Sequence, residues 1–141
     1  MYDDILFPID GTESLDAVFP HVADIARRRG ATVHVLYVVD DRAFLTLADE
    51  MQDDVLAEFR SRGEAALEEA QRRFADEDVA VTGEMRRGTP SEEILEYVGE
   101  TGADLVAMGS HGDDAQETVL GSVSRTVAGS SPVPVLTVTL E

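Results

Sequence analysis

Residues 105–123 read LVAMGSHGDDAQETVLGSV. The apolar run from Leu105 to Met108 has the length and composition of a short buried strand. Gly109 and Gly112 bracket Ser110 and His111 directly after it, and Gly121 and Ser122 open a second apolar segment. A strand, a glycine-rich turn and a helix start, in that order, are the repeating unit of an α/β sheet. The three glycines show no evident packing role. Two readings fit them. They are turn and cap residues, or they form an anion cradle in which backbone N–H groups and a helix dipole face a negative ligand.

The same alternation extends upstream. Residues 5–9 (ILFPI) read as a first strand, with Asp10, Gly11 and Thr12 as its turn. Leu15, Val18, Phe19, Val22, Ile25 and Ala26 recur at three and four, the stripe of a core-facing helix. Pro20 inside that stripe is expected to kink it, and Gly30 to end it after Arg27, Arg28 and Arg29. Residues 31–39 (ATVHVLYVV) are a nearly continuous β-branched run, as in a strand covered on both faces. His34 within it reads as a core histidine with its hydrogen bonds satisfied. After a connecting loop at 40–50, a long helix is expected over about 51–74, weakened in its middle by Gly63. Its acidic residues read as a solvated face. A weaker strand over about 79–85 leads to Gly88. Thr89-Pro90-Ser91-Glu92 then has the form of a capping box with Pro at the first helical position. The strand over 103–108 follows, then a short helix over about 122–128 ended by Gly129 and Pro132, and a last strand over 135–140. Pro134 suits an edge position. The pattern predicts one domain spanning 1–141 whose doubly wound parallel sheet has helices on both faces and right-handed crossovers. Ligands of such sheets bind beyond the carboxyl ends of the strands, where strand order reverses.

Composition narrows the partners. The chain carries 29 Asp and Glu against 11 basic residues, a net charge of −18, and every basic residue is Arg. A dense anionic surface without Lys suggests adaptation to high salt, where the screening length falls to ~3 Å at 1 M. Nucleic acid and anionic membrane surfaces are poor partners for it. Without Lys there is no Walker A loop and no Schiff-base chemistry; without Cys there are no disulfides or thiolates. The opening MYDDILFPID is acidic where a secretory signal is basic, and no apolar run approaches the ~20 residues of a membrane span, so a cytoplasmic protein is expected. No acid–base pair, metal cluster or nucleophile–His arrangement marks a dedicated enzyme.

The motifs ILFPIDGTE (5–13), VLYVVD (35–40), GTPSEEIL (88–95), MGSHG (108–112), LGSV (120–123) and PVPVLTV (132–138) stand in an order similar to that of the universal stress protein family. The resemblance covers essentially the whole chain. It implies a five-stranded Rossmann-like sheet in the order 3-2-1-4-5, with the first and fourth strands adjacent at the reversal. Some members of the family bind ATP and others do not; the binders carry Gly-x2-Gly-x9-Gly-Ser/Thr after the fourth strand. Carried over, the resemblance implies that Pro8, Ile9, Asp10 and Val38 flank the adenosine. Asp10 would accept from ribose hydroxyls, and the Val38 backbone would meet the adenine edge. Met108 and Gly109 would begin the phosphate-side turn, and Gly112, Gly121, Ser122 and Val123 would complete it. Two departures stand out. Eight residues, 113–120, separate Gly112 from Gly121 where the pattern has nine, and Asp113 and Asp114 open that loop. Carboxylates beside a triphosphate oppose it unless they are screened or bridged by Mg²⁺. The expected function is an adenine nucleotide (ATP) binding module in stress response or signalling, with any hydrolysis slow and incidental. The alternative is a member without nucleotide that acts through dimerisation and protein partners. In either case the resemblance implies a homodimer joined through the C-terminal edge strand.

Overall fold

The computed structural model describes residues 1–43, 47–111 and 119–140. Its strands are β1 (Asp4–Ile9), β2 (Thr32–Asp40), β3 (Ala80–Gly88), β4 (Leu105–His111) and β5 (Val135–Leu140). Its helices are α1 (Thr12–Arg29), α2 (Asp49–Asp76), α3 (Pro90–Thr101) and α4 (Val119–Ser130), with one 3-10 turn at Asp41–Ala43. All pairings are parallel, and the sheet order is β3-β2-β1-β4-β5, as expected. Among the described residues no helix is long and apolar enough to cross a membrane.

Strand alternation divides the core. Ile5, Phe7 and Ile9 of β1 face α1 and α2, where they meet Leu15, Val18, Val22, Ala70 and Phe74. Leu6 faces the other way and joins Leu36, Val106 and Met108 under Ile94 and Val98 of α3 and Val123 and Val127 of α4. The central strands are therefore buried on both faces, the origin of their unbroken apolar sequence. Phe74 anchors the first layer, with its ring edge-on to Phe7 at 6.0 Å and tilted against Phe19 at 4.7 Å.

Several boundaries differ from the sequence expectation. α1 is continuous through Pro20, which is exposed. The carbonyl it leaves unpaired belongs to Asp16, also exposed, so water can satisfy it. Gly63 lies buried within α2, and a Cβ built on it would stand 2.7 Å from both Met85 Cε and Tyr37 Cδ1. That glycine lets the helix approach the sheet. Thr89 is the N-cap of α3 and Pro90 its first residue, but no side-chain capping bond forms; Thr89 C=O accepts from Glu93 N–H at 3.0 Å. His34 is partly buried and satisfied as expected, with Nε2 2.9 Å from Asp4 Oδ1 and Nδ1 3.0 Å from Thr82 Oγ1.

The largest correction concerns the opening stretch. β4 does not stop at Met108 but continues through Gly109 and Ser110 to His111, paired with β5 from Val106↔Val135 to His111↔Leu140. Gly109 is thus a strand residue and does have a packing role. A Cβ on it would lie 3.0 Å from Leu140 Cδ1. Gly121 and Ser122 sit inside the first turn of α4, not ahead of it. Gly112, Asp113 and Asp114 lie outside the described residues.

Candidate functional site

The strand order reverses between β1 and β4, which run to either side of the sheet from there. Beyond the carboxyl end of β1 the chain must turn at once into α1, and Gly11 makes that turn with φ 154° and ψ −167°, a region essentially reserved for glycine. The turn leaves Asp10 at the rim. Its carboxylate Oδ1 accepts from Ser14 Oγ at 2.9 Å, and its N–H donates to the same hydroxyl at 3.4 Å. Ser14 is buried, so Asp10 is held by a fixed neighbour while remaining exposed itself.

Beside this turn lies a cleft with about 320 Å³ of empty space, counting its open mouth. Much of that space is open to solvent, so the cleft is a shallow groove at the carboxyl edge of the sheet. Pro8, Ile9, Asp10, Leu36, Val38, Pro90, Ile94 and Val123 line it. The walls are apolar, and Asp10 is the single ionisable group among these lining residues. The β1–β2 ladder stops at Ile9↔Tyr37, so β2 from Val38 onward has no strand partner on the β1 side, while Val38 still pairs with Arg86 of β3 on the other. A ligand in the cleft can therefore reach strand backbone. The field of Asp10 extends past the sheet: burial raises the Tyr37 phenol pKa, the Asp10 carboxylate raises it further, and Arg62 opposes them.

Of the residues proposed from sequence, Pro8, Ile9, Asp10, Val38 and Val123 meet in this cleft. Met108 does not line it; its side chain is fully buried in the layer beneath α3 and α4. Gly109 faces Leu140. Ser122 is half-buried one residue before the wall residue Val123, and its carbonyl accepts from Thr126 Oγ at 3.2 Å. Leu36, Pro90 and Ile94 were missed as wall residues. Leu36 shares a strand face with Val38 by the period of two, and Ile94 lies one helical turn beyond Pro90, so both periods carried the signal. Among the described residues no group of three or more His, Asp or Glu is positioned to hold a metal.

The sequence profile described as "Universal stress protein family" matches residues 1–139. The chain belongs to the universal stress protein family. Universal stress protein MJ0531 of Methanocaldococcus jannaschii is 34% identical over 141 residues, which covers 98% of this chain and 82% of that protein. The solved structure of MJ0577 from the same organism superposes with a TM-score of 0.88 at 29% identity, covering 100% of this chain and 98% of that one. Universal stress protein UspA from Lactobacillus plantarum gives 0.83 at 27% identity, with 97% of each chain covered. More distant structures share the fold. One universal stress protein in complex with cAMP has a TM-score of 0.74 at 24% identity, and one from Archaeoglobus fulgidus in complex with dAMP has 0.72 at 20%.

Proposed function

We propose that this universal stress protein holds an adenine nucleotide, with ATP as the preferred ligand, in the cleft at the end of β1 and β2. The observation that carries the reading is the meeting of Pro8, Ile9, Val38 and Val123 as apolar walls around one exposed carboxylate, Asp10. The apolar walls would cover one face of a purine ring, strand backbone at Val38 would supply hydrogen bonds for its edge, and Asp10 would accept from ribose hydroxyls. The phosphates would extend toward the start of α4. The first N–H groups of a helix have no partner within it and favour negative charge. Gly121 there keeps the backbone approachable, and Ser122 follows it. Related structures that hold cAMP and dAMP support the ligand class. Antiparallel pairing of two copies through the edge strand β5 completes the proposed state, a dimer.

Calorimetry on a cleft-filling variant tests the site. Val123 is buried against the cleft, so Val123→Phe pushes a ring into the slot while staying apolar. It is expected to weaken ATP and AMP alike by at least about tenfold, since a ring forced into already packed space costs ~1–3 kcal/mol and the ligand would have to displace it. Its thermal melt is recorded alongside to establish that it folds.

A second change separates phosphate from adenosine. Asp113→Asn with Asp114→Asn removes two negative charges from the segment between Gly112 and Gly121. ATP binding is expected to tighten by up to a few kcal/mol and AMP binding by less, with the difference shrinking as salt rises. Equal changes for the two nucleotides would remove these residues from the phosphate end. If the unmodified protein takes up no adenine nucleotide, with or without Mg²⁺, the nucleotide reading fails and a module that works through protein partners takes its place.

A further inference from the structure

Arg60 is unusual in a chain where carboxylates outnumber arginines 29 to 11. Every other arginine among the described residues holds an ion pair, a hydrogen bond or another electrostatic contact. For Arg60 none is found among those residues, although Glu64 lies one helical turn away on α2 and lines the same cleft. That cleft is open, holds about 540 Å³ of empty space including its mouth, and runs between α2 and the end of β3. Val39 and Met85 supply its apolar lining; Arg60, Arg86 and Arg87 surround them. Arg86 is committed elsewhere, its guanidinium bonded to both carboxylate oxygens of Glu100 and stacked 4.6 Å from the Tyr97 ring centroid. Arg87 gives its Nε to Asp41 at 2.6 Å.

A second feature adjoins it. β3 is an edge strand of nine residues, paired with β2 on one side and with no described strand on the other. Free edges of this length are templates for an added strand. The nucleotide cleft lies across the sheet: Val38 lines that one and its neighbour Val39 lines this one. We propose that the α2–β3 cleft is a docking surface for an acidic, extended segment of a partner protein, in which a carboxylate meets Arg60. An apolar side chain of the segment rests on Val39 and Met85, and its backbone runs along the β3 edge. The apolar lining and the free edge favour a peptide over a small inorganic anion, which would use only the arginines. The surface is independent of the nucleotide reading.

Fluorescence anisotropy with a labelled hexapeptide of alternating Glu and Val tests this. The full chain is expected to bind it saturably, and a Lys–Val peptide of the same length much more weakly. Arg60→Glu is expected to weaken binding at least about tenfold, the scale of placing like charges opposite each other in an interface. Arg60 is exposed, so the variant is expected to retain its circular dichroism spectrum. Arg72→Glu, also exposed on α2 but paired with Glu69 and Asp76, serves as the charge-matched control and is expected to bind as the parent does. The proposal is overturned by absence of saturable binding, by equal weakening in the two variants, or by equal binding of the Lys–Val peptide. Displacement of the peptide by equimolar pyrophosphate also overturns it, in favour of a site for free oxyanions.

Discussion

In about 2 M KCl the protein is expected to melt roughly 10 °C higher than in about 0.05 M KCl, and to scatter light as a dimer only toward the higher salt. The argument is one of sign and size. Arg27–Glu77, Arg28–Asp24, Arg62–Glu58 and Arg72–Glu69 are exposed ion pairs, each worth about 0–1 kcal/mol, and salt weakens them. Salt also relieves repulsion, and here that effect is the larger. With 11 arginines to 29 carboxylates, 18 negative charges have no counterpart even if every arginine is paired. At low salt these interact over a screening length of ~10 Å or more, which spans neighbouring helices; at 1 M the length falls to ~3 Å. Relief of a few kcal/mol in a domain of this size corresponds to a shift on the order of 10 °C. The same charges meet across any dimer contact, so association follows the same direction. A melting temperature that does not move across this range would dispose of the salt-adaptation reading and leave the fold and family untouched.

The second large effect is expected at Gly63. In a solvent-exposed helix, replacing glycine by alanine stabilises by ~1 kcal/mol. At Gly63 the sign should reverse. The added methyl would meet Tyr37 Cδ1 at 2.7 Å and Cε1 at 2.9 Å, as well as Met85 Cε at 2.7 Å. The methionine end can swing away. The tyrosine ring is half-buried in the layer under α2, so making room for the methyl disturbs packing there. Gly63→Ala is therefore expected to cost about 1–2 kcal/mol net, and Gly63→Leu upwards of ~3 kcal/mol, enough to unfold much of the population in a marginally stable domain. Urea melts followed by circular dichroism measure both. Gly99, which has nothing within 4 Å of a built Cβ and lies on the exposed side of α3, is the internal contrast; there alanine should stabilise. A stabilised Gly63→Ala would mean that α2 does not lie as close to the sheet as described.

Gly63 and Gly109 mark what a sequence can and cannot convey. The fold was legible because alternation of 31–39 with the helical stripe at 15–26 leaves few architectures, and because the strand order came with the family resemblance. Asp10, Val38 and Val123 were likewise named from motif positions, and the cleft does unite them. Leu36 and Ile94 were legible in principle through strand and helix periodicity. Gly63 and Gly109 were not. Each is a glycine because of an atom far away in sequence, Tyr37 or Met85 for one and Leu140 for the other, and such a cause leaves no local pattern. The extra length of β4 has the same origin. Its last residues are a strand because β5 pairs with them, and nothing between Gly109 and His111 announces that partner. Thr89 failed in the opposite way: its local pattern is that of a capping box, and the structure leaves it unused.

Gly109 is the first glycine of the motif by which nucleotide binders of this family are recognised, yet in this chain it opposes Val138 and gives Leu140 its seat. Its retention therefore carries two meanings that cannot be separated by inspection of the motif alone. Packing alone gives a reason for a glycine here, since any larger residue would require the Leu140 side chain to give by a few tenths of an ångström. The diagnostic weight falls on the later positions, Gly112 and Gly121, because a binding defect produced by altering Gly109 would mix a shifted Leu140 with any loss at the phosphates.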